Sequence, residues 1–451
     1  MSEFVVRLDA AEAISAERFG PKAANQAALC QAGLPVAGGY CIDAAAYRAQ
    51  VTALGLDDVA RRVFSEEDTI AARRLALEMR MKLHDEPITA AVREPLLAAW
   101  REMMATEGTV GVVRSSALVE DRDGSSFAGQ FESFLGLETE AEFETAVRAC
   151  WGALWATRAL RYMAANDLDP AQTAMGLALQ PLVKARASGG GLSRTAEGEM
   201  VISATWGLGS AIAQGEVVPD RIRLTRDLEI LEIEPGRKEH ADTCVHQHGS
   251  TARAVAHAMV LEPCLNEAQA VELGRMLLIA EEKVVGGPAE IEWAMDDDGI
   301  RMLQARPLQV ADTHEVDEVW NDRPRLNGHP AGLGWGTGRA CIVNCECELS
   351  RVAPGDILVT QIAGPTLSQI LPKVAGVVAE LGGSTSHLAS LARERGVPMV
   401  LGVLNATTRI PDGSLVAVDG VAGIVRWMPQ AAAMEPADPG MTVPIRPDWR
   451  R

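Results

Sequence analysis

The stretch that decides the fold is GGSTSHLASLARERGVP, residues 382–398. A short apolar run, VAGVVAE at residues 374–380, precedes it and predicts a buried strand. After the glycine pair, small and apolar residues such as Leu388 and Leu391 follow helical spacing, and the closing Gly-Val-Pro ends the helix. The pattern therefore places His387 in the first turn of a helix that follows a Gly-Gly turn.

A histidine in that position suits phosphate chemistry. Free backbone N–H groups and the positive end of the helix dipole face any anion attached to the imidazole. Ser384, Thr385 and Ser386 supply hydroxyl caps beside it. The alternative is a capped helix whose histidine only packs or faces water, and an isolated Ser-His pair would favour that alternative.

The whole seventeen-residue run resembles the phosphohistidine motif of the PEP-utilising enzyme family. That family includes phosphoenolpyruvate synthase, pyruvate phosphate dikinase and rifampin phosphotransferase. In those enzymes the matching histidine is phosphorylated from ATP and moves on a mobile domain to a second site. The resemblance implies that His387 is a phosphocarrier.

The composition is that of a globular chain. It has 451 residues, of which 47% are hydrophobic and 23% charged, enough for two or three domains. The net charge of -19 argues against nucleic acid or an anionic membrane as the main partner, while leaving room for a local basic pocket. With no signal-peptide pattern at residues 1–10 and no apolar run of about eighteen residues, we expect a cytoplasmic protein.

The eight cysteines are scattered without a paired framework, so reduced thiols are expected. Cys341, Cys345 and Cys347 form the one cluster. Their spacing lacks the paired ligands of a four-ligand zinc site, and we therefore expect no metal there.

Lys22 lies in FGPKAANQAAL, residues 19–29, which predicts a helix after a Gly-Pro turn. A lysine in the first turn opposes the dipole preference, and taken alone it indicates a solvated surface charge. The segment nevertheless resembles the start of the family's ATP-binding domain, where the matching lysine contacts nucleotide phosphate. Pro21 stands where the family usually has glycine.

Arg114 ends a predicted strand, GVVR, and is placed to clamp a phosphate because its guanidinium can donate to two oxygens. An ion pair with Glu120 or Asp121 is the alternative. The segment resembles a nucleotide-binding block of the family, with Arg114 at a phosphate-binding position. The same resemblance places Gly129 in a flexible loop over the ATP.

The run MGLALQPLV, residues 175–183, predicts a strand. In the family this strand leads into a hinge that holds adenine through backbone groups, which makes Gln180 and Leu182 the adenine-side candidates. A core strand without a ligand is the alternative. The chain then departs from the family, because SGGGLSRTA at residues 188–196 stands in place of a longer segment.

Two alternating runs joined by an Asp-Gly turn predict a hairpin over residues 289–307. Period-two alternation puts Glu290 and Glu292 on one face, and Gln304 and Arg306 on one face of the partner strand. On this pattern alone, cross-strand Glu–Arg pairing on a solvated face is the simpler interpretation.

The hairpin also resembles the metal-binding strands of an ATP-grasp fold. Mg²⁺ takes carboxylate and amide oxygens together with substrate phosphates, so the implied ligands are Glu292 and Gln304, with Arg306 as a charge clamp. Glu290 replaces the more usual aspartate.

The resemblance implies an α/β (α+β) protein. The expected parts are a two-lobed ATP-grasp domain at residues 1–310 (lobes about 1–170 and 171–310), a polar linker at 311–326, a swivelling β/β/α phosphohistidine domain at 327–428, and a poorly ordered tail at 429–451.

The implied function is an ATP- and Mg²⁺-dependent dikinase-type phosphotransferase. Its catalytic residues would be His387, Arg114 and Arg306, and AMP and phosphate would leave as the β-phosphoryl group ends on His387. The match stops near Gly420, and the 31 residues that follow are too few for an acceptor-binding barrel of about 250 residues. We therefore expect the acceptor, pyruvate or a phenol-like or other hydroxyl compound, to bind a separate subunit, as in phenylphosphate synthase.

Two alternatives remain at this stage. One is a complete small-molecule phosphotransferase that accepts a hydroxyl compound or an antibiotic between its domains. The other is a non-catalytic nucleotide-binding regulatory or partner subunit, which the shortened 188–199 region favours. The joint presence of the phosphate-handling residue types argues against the latter.

Overall fold

The structure is a computed structural model, and it describes residues 4–66, 68–106, 110–120, 131, 133–245, 249–310 and 318–428. Gly129, residues 311–317 of the predicted linker and the predicted tail at 429–451 lie outside these described residues.

The first sheet is antiparallel and carries helices packed against it. Its strands are β1 (Val5–Arg7), β2 (Tyr40–Ile42), β3 (Gly111–Ala117), β4 (Ser133–Leu137) and β5 (Met175–Pro181), in the order β1-β2-β5-β3-β4. The helices are α1 (Ala16–Phe19), α2 (Pro21–Gln31), α3 (Ala44–Ala53), α4 (Asp57–Ser65), α5 (Thr69–Asp85), α6 (Ala90–Thr106), α7 (Glu140–Ala153) and α8 (Thr157–Ala165). The core between sheet and helices includes Trp100 and Phe143, whose rings stack with centroids 4.9 Å apart.

The second sheet is also antiparallel, in the order β13-β12-β6-β7-β8-β9. Its strands are β6 (Ala187–Leu192), β7 (Met200–Trp206), β8 (Asp220–Leu224), β9 (Ile230–Glu234), β12 (Ala289–Asp296) and β13 (Gly299–Pro307). A separate hairpin is formed by β10 (His240–Val245) and β11 (Gly249–Ala254), and the helices are α9 (Ser210–Ala213) and α10 (Glu267–Ala280). Trp293 is fully buried in the core between this sheet and α10.

The third sheet has eight strands in the order β14-β21-β20-β16-β17-β18-β19-β15. They are β14 (Arg325–Asn327), β15 (His329–Pro330), β16 (Trp335–Val343), β17 (Ile357–Thr360), β18 (Gly376–Ala379), β19 (Met399–Leu401), β20 (Leu415–Asp419) and β21 (Ile424–Met428). The neighbours from β16 to β19 are parallel. The helices are α11 (His387–Glu394) and α12 (Ala406–Arg409), and we call this part the C-terminal unit.

The predicted α/β class is confirmed. Two predicted boundaries are wrong. The lobe division at 170/171 separates β5 from its own sheet, because β5 pairs with β2 on one side and β3 on the other. The predicted linker at 311–326 extends too far, because β14 pairs with β21 of the third sheet. The wider division into domains stays a prediction.

The expectation of reduced thiols is wrong at one place. A disulfide joins Cys345 and Cys347, whose Cα atoms lie 5.4 Å apart. Cys341, the third cysteine of the cluster, is a buried free thiol. Within the described ranges, no helix has the length and apolar character that crossing a bilayer requires.

A buried ion pair joins Asp220 of β8 to Lys238 in the segment between β9 and β10. Both side chains are fully buried. Asp220 also accepts backbone hydrogen bonds from Gly236 and Cys264, each at 2.8 Å. Three partners on one carboxylate indicate a structural role for Asp220.

Asp220→Ala is therefore expected to lower the free energy of unfolding by about 3–5 kcal/mol, because it leaves a buried ammonium without its counter-charge. Urea unfolding followed by circular dichroism measures this loss. The control is Asp227→Ala, an exposed carboxylate in the nearby β8–β9 turn, which should change stability by less than about 0.5 kcal/mol. Similar losses in the two variants would contradict the structural role.

Candidate functional site

A pocket of about 490 Å³ lies between the first and second sheets, and the loop before α11 closes part of it. Seven of the predicted site residues line this pocket: Lys22, Arg114, Gln180, Leu182, Glu292, Gln304 and His387. They come from the three segments of the chain that form the three sheets. The fold therefore brings together residues that are far apart in sequence.

Lys22 is not the solvated charge that its position alone indicates. Its Nζ lies 2.7 Å from Oε1 of Glu120, and that carboxylate is fully buried. The other oxygen of Glu120 accepts from the backbone N–H of Ala117 at 3.0 Å. Glu120 therefore fixes the ammonium group at the pocket wall.

Arg114 reaches the pocket from β3. Its Nη1 lies 3.5 Å from the carbonyl oxygen of Leu303 on β13, across the gap between the two sheets. Of its two alternative partners, Glu120 pairs with Lys22 instead, and Asp121 lies outside the described residues. Arg114 and Lys22 thus line the same pocket.

The adenine-side candidates lie in the last residues of β5 and directly after it, where the two sheets meet. Gln180 is buried, and its Nε2 donates to the carbonyl of Ala37 at 3.1 Å. The N–H of Leu182 donates to the carbonyl of Val110 at 2.9 Å. Leu182 can therefore offer a ligand its carbonyl or side chain but not its N–H, and the predicted adenine contact stays a prediction.

The predicted hairpin is formed by β12 and β13. Glu290 lies opposite Arg306 and Glu292 opposite Gln304, so the four side chains share one face, as the alternation predicted. The 188–196 region, where the chain departs from the family, contributes β6, which pairs with β12 and lines the pocket through Ser188 and Gly190.

His387 is the first residue of α11 and lies at the pocket. The Oγ of Ser386 caps the helix by accepting from the N–H of Ala389 at 3.2 Å. Burial lowers the pKa of the His387 imidazole; the carboxylate of Glu292 opposes this, and the positive charges of Arg306 and Lys22 add to it. The ring is therefore neutral near pH 7, with a nitrogen lone pair available for attack.

An NMR titration of the ligand-free protein should place the His387 midpoint below 6.5, the ordinary value for histidine. The pKa of His387 shifts downward because burial disfavours the charged imidazolium, so protonation requires a lower pH. Difference spectra against His387→Gln assign the resonance. A midpoint at or above 6.5 would contradict the buried, cation-flanked environment.

Arg306 was predicted to clamp phosphate, and its charge does reach His387. Yet the guanidinium is buried beside the pocket rather than on its lining. Its Nη2 lies 3.0 Å from Oε1 of Glu290 and donates to the Oγ of Ser390 at 2.6 Å. Its phosphate role stays a prediction.

Glu290, Arg306, Ser390 and Arg393 form a buried group that we call the docking cluster. Nη2 of Arg393 lies 2.9 Å from Oε2 of Glu290, and the Oγ of Ser390 lies 3.2 Å from both oxygens of that carboxylate. Burial alone would raise the pKa of Glu290, but Arg306 and Arg393 hold it at about 2. The charged carboxylate thus joins β12 and β13 to α11 of the C-terminal unit.

Ser390 and Arg393 are site residues that the sequence motifs did not predict. For Ser390 a signal was present, because His387, Ser390 and Glu394 recur at helical spacing and share one side of α11. Glu394 accepts a hydrogen bond from the hydroxyl of Tyr162 in α8. This side of the helix therefore faces the two lobes.

Close backbone contacts complete the docked arrangement. The N–H of Gly382 donates to the carbonyl of Val217 at 3.0 Å. A Cβ atom at Gly383 would lie 2.5 Å from Cγ of Pro219, and one at Gly190 would lie 2.5 Å from Cβ of Thr385. Glycine is required at both places because any side chain would hold the C-terminal unit away from the second sheet.

Comparison of the sequence with known proteins identifies the family to which the chain belongs. Residues 16–325 match the family model described as the pyruvate phosphate dikinase AMP/ATP-binding domain, and residues 352–423 match the PEP-utilising enzyme mobile domain. The phosphoenolpyruvate synthase of Aeropyrum pernix is 31% identical over 458 residues, which cover 90% of this chain and 56% of that protein. A probable phosphoenolpyruvate synthase of Methanothermobacter thermautotrophicus is 29% identical, over 90% of this chain and 61% of that protein.

The chain thus spans little more than half the length of the curated relatives it matches. Among solved structures, the ADP complex of N5-carboxyaminoimidazole ribonucleotide synthetase is 10% identical over 68% of this chain and 48% of that one. Its TM-score is 0.27, too low to support a shared fold. The family match, by contrast, covers more than half of the sequence. The chain belongs to the pyruvate phosphate dikinase and phosphoenolpyruvate synthase family of PEP-utilising enzymes.

Proposed function

We propose that this protein is an ATP-dependent dikinase-type phosphotransferase whose phosphocarrier is His387. One observation carries the proposal: the imidazole lies at the same pocket as Lys22, Arg114, Glu292 and Gln304. A phosphate-binding wall, two oxygen ligands and a neutral nucleophile are the groups that phosphoryl transfer from a nucleotide requires.

In the proposed reaction, Lys22 and Arg114 oppose the charge of the triphosphate and position its β-phosphorus before the imidazole. The lone pair of His387 attacks that phosphorus. An N–P bond forms while the bond to the oxygen of the α-phosphate breaks, and AMP leaves. Water then cleaves the β–γ bridge and releases phosphate, so one ATP and one water yield phosphohistidine, AMP and phosphate.

Mg²⁺ is part of this proposal. Within the described part of the chain, no group of three or more His, Cys, Asp or Glu side chains could hold a metal by itself. Glu292 and Gln304 lie opposite each other on the hairpin and line the pocket, which fits an ion that takes its remaining ligands from phosphates and water. When bound, Mg²⁺ would neutralise phosphate charge.

The acceptor is proposed to be pyruvate or another small hydroxyl compound bound by a separate subunit. The support for this class of acceptor is that the matched relatives are named phosphoenolpyruvate synthases. A cytoplasmic location, where ATP is available as donor, belongs to the same proposal.

The test uses pure protein with Mg²⁺ and ATP labelled at either the β or the γ phosphorus. Acid-labile label on the protein from the β position, with one AMP formed per phosphohistidine, is the expected result. Label from the γ position with release of ADP would replace the dikinase reaction with an ordinary kinase reaction. No label from either position, in a protein that still binds ATP, would favour a nucleotide-binding partner subunit.

A further inference from the structure

A second cavity, of about 970 Å³, lies between β8–β9 of the second sheet and the C-terminal unit. It shares no lining residue with the pocket that contains His387. Ser384, three residues before that histidine, lines the second cavity from the other side of the same loop. The cavity is thus a separate site at the junction of two parts of the molecule.

Three arginines on its lining have no carboxylate within ion-pair distance in the portion of the chain described. They are Arg221 from β8, Arg325 from β14 and Arg409 from α12. The chain has 61 acidic residues and a net charge of -19. The lack of partners for these three arginines therefore does not come from a shortage of carboxylates in the protein. About half of the other arginines in the described chain do have carboxylate partners, and these include the other two on this lining.

Those two arginines, Arg223 and Arg237, show the contrast. Arg223 pairs with Glu199 at 2.8 Å and with Glu232 at 3.0 Å, and Arg237 pairs with Glu239. Two carboxylates on the lining, Glu197 and Glu234, have no ion pair with these arginines, although Glu234 lies opposite Arg221 in the β8–β9 register. The unpaired guanidinium groups therefore outnumber the unpaired carboxylates.

Buried donors without acceptors give a second, independent observation. Among the described residues, the Nε of Arg221, which lines the cavity, is buried and has no hydrogen-bond partner. Arg426 is not on the lining, but its Nε and Nη1 are also buried without partners among these residues. Arg426 lies directly opposite Arg325 in the β14–β21 pair, so the two side chains project from one side of the sheet. Like charges opposite each other and unsatisfied buried donors are both destabilising unless an anion compensates them.

We propose that this cavity, the arginine cleft, binds a small phosphate-bearing anion between Arg221 of the second lobe and Arg325 and Arg409 of the C-terminal unit. A guanidinium donates two parallel hydrogen bonds to phosphate oxygens, and three of them from two sides suit a multiply charged phosphate. Because the anion would contact both parts, its binding favours the docked arrangement. The inference goes beyond the proposed function and does not depend on phosphoryl transfer.

Pyrophosphate is the probe, with binding measured by titration calorimetry on the His387→Ala protein. Two double variants separate the candidate sites: Lys22→Met with Arg114→Met in the pocket, and Arg325→Gln with Arg409→Gln in the cleft. Both cleft arginines are exposed, so the substitutions should leave folding intact. The pocket variant is expected to keep a binding event that the cleft variant weakens roughly tenfold or more per arginine.

The matched control is Arg237→Gln, which alters the same lining at a guanidinium that already has a carboxylate partner and should change affinity less than about twofold. Titration with inorganic phosphate asks whether a single phosphate group suffices, and sodium chloride at equal ionic strength should not compete. Wild-type affinity in the cleft variant, loss of all binding in the pocket variant, or no binding by any form would overturn the proposal.

Hydrogen exchange tests the bridging. Pyrophosphate should slow amide exchange in the backbone around α11, where the C-terminal unit meets the second sheet, and Arg221→Gln should abolish this protection. Binding that leaves this exchange unchanged would refute the bridge between the two parts.

Discussion

His387→Ala is expected to bind ATP and yet acquire no acid-labile phosphoryl group. The substitution removes the proposed nucleophile while Lys22, Arg114, Glu292 and Gln304 stay in the pocket wall. We expect the single-turnover rate of AMP formation from β-labelled ATP to fall at least about a thousandfold, as for loss of other nucleophiles. Nucleotide affinity, measured separately by calorimetry, should change little.

The control for this experiment is His84→Ala. That imidazole is 55% exposed on α5, beside Asp85 and away from the pocket lining. The His84→Ala protein should acquire the β-phosphoryl label at the wild-type rate. If His387→Ala were labelled as well, the phosphocarrier would be another residue, and the role assigned to α11 would be wrong.

Glu290→Gln is expected to weaken docking of the C-terminal unit far more than it weakens the binding of ATP. The amide still accepts hydrogen bonds, but it leaves the buried guanidinium groups of Arg306 and Arg393 without their shared counter-charge. Loss of one partner from a buried ion pair costs about 3–5 kcal/mol. If this free energy destabilises only the docked state, the population of the docked state relative to the undocked state falls at least about a hundredfold.

Single-turnover labelling of His387 should therefore slow by far more than the affinity for ATP declines. A double-mutant cycle with Arg393→Gln should give a coupling energy above about 1 kcal/mol, because the two groups touch across the interface. Glu282→Gln, an exposed carboxylate near the end of α10, is the matched control and should behave as wild type. Equal losses of rate and of ATP affinity in Glu290→Gln would contradict a positioning role.

Local patterns predicted the hairpin well. Period-two alternation gave the face shared by Glu290 and Glu292, and the structure pairs them with Arg306 and Gln304 as expected. The helix that begins at His387 was equally accessible, because its cap, its spacing and its stop signal lie within one short run. Such features depend on neighbours in sequence, and sequence reasoning recovers them.

Partners distant in sequence were not predicted. Lys22 meets Glu120 across 98 positions, and Glu290 meets Arg393 across 103. No periodicity relates residues that far apart, and only the order of strands in a sheet brings them together. The misplaced lobe boundary has the same cause, because the sequence of β5 does not reveal that it inserts between β2 and β3.

The loop that carries Thr385 and His387 forms part of the pocket wall. The pocket is therefore complete only while the C-terminal unit is docked, and His387, the proposed phosphocarrier, is itself a portion of the pocket wall. Thermodynamic reciprocity then applies: a ligand that contacts this wall must strengthen docking by the same factor by which docking tightens the ligand. If His387 carries a phosphoryl group as proposed, the added charge lies on that same wall, and any change it makes in docking must be matched by an equal change in ligand affinity.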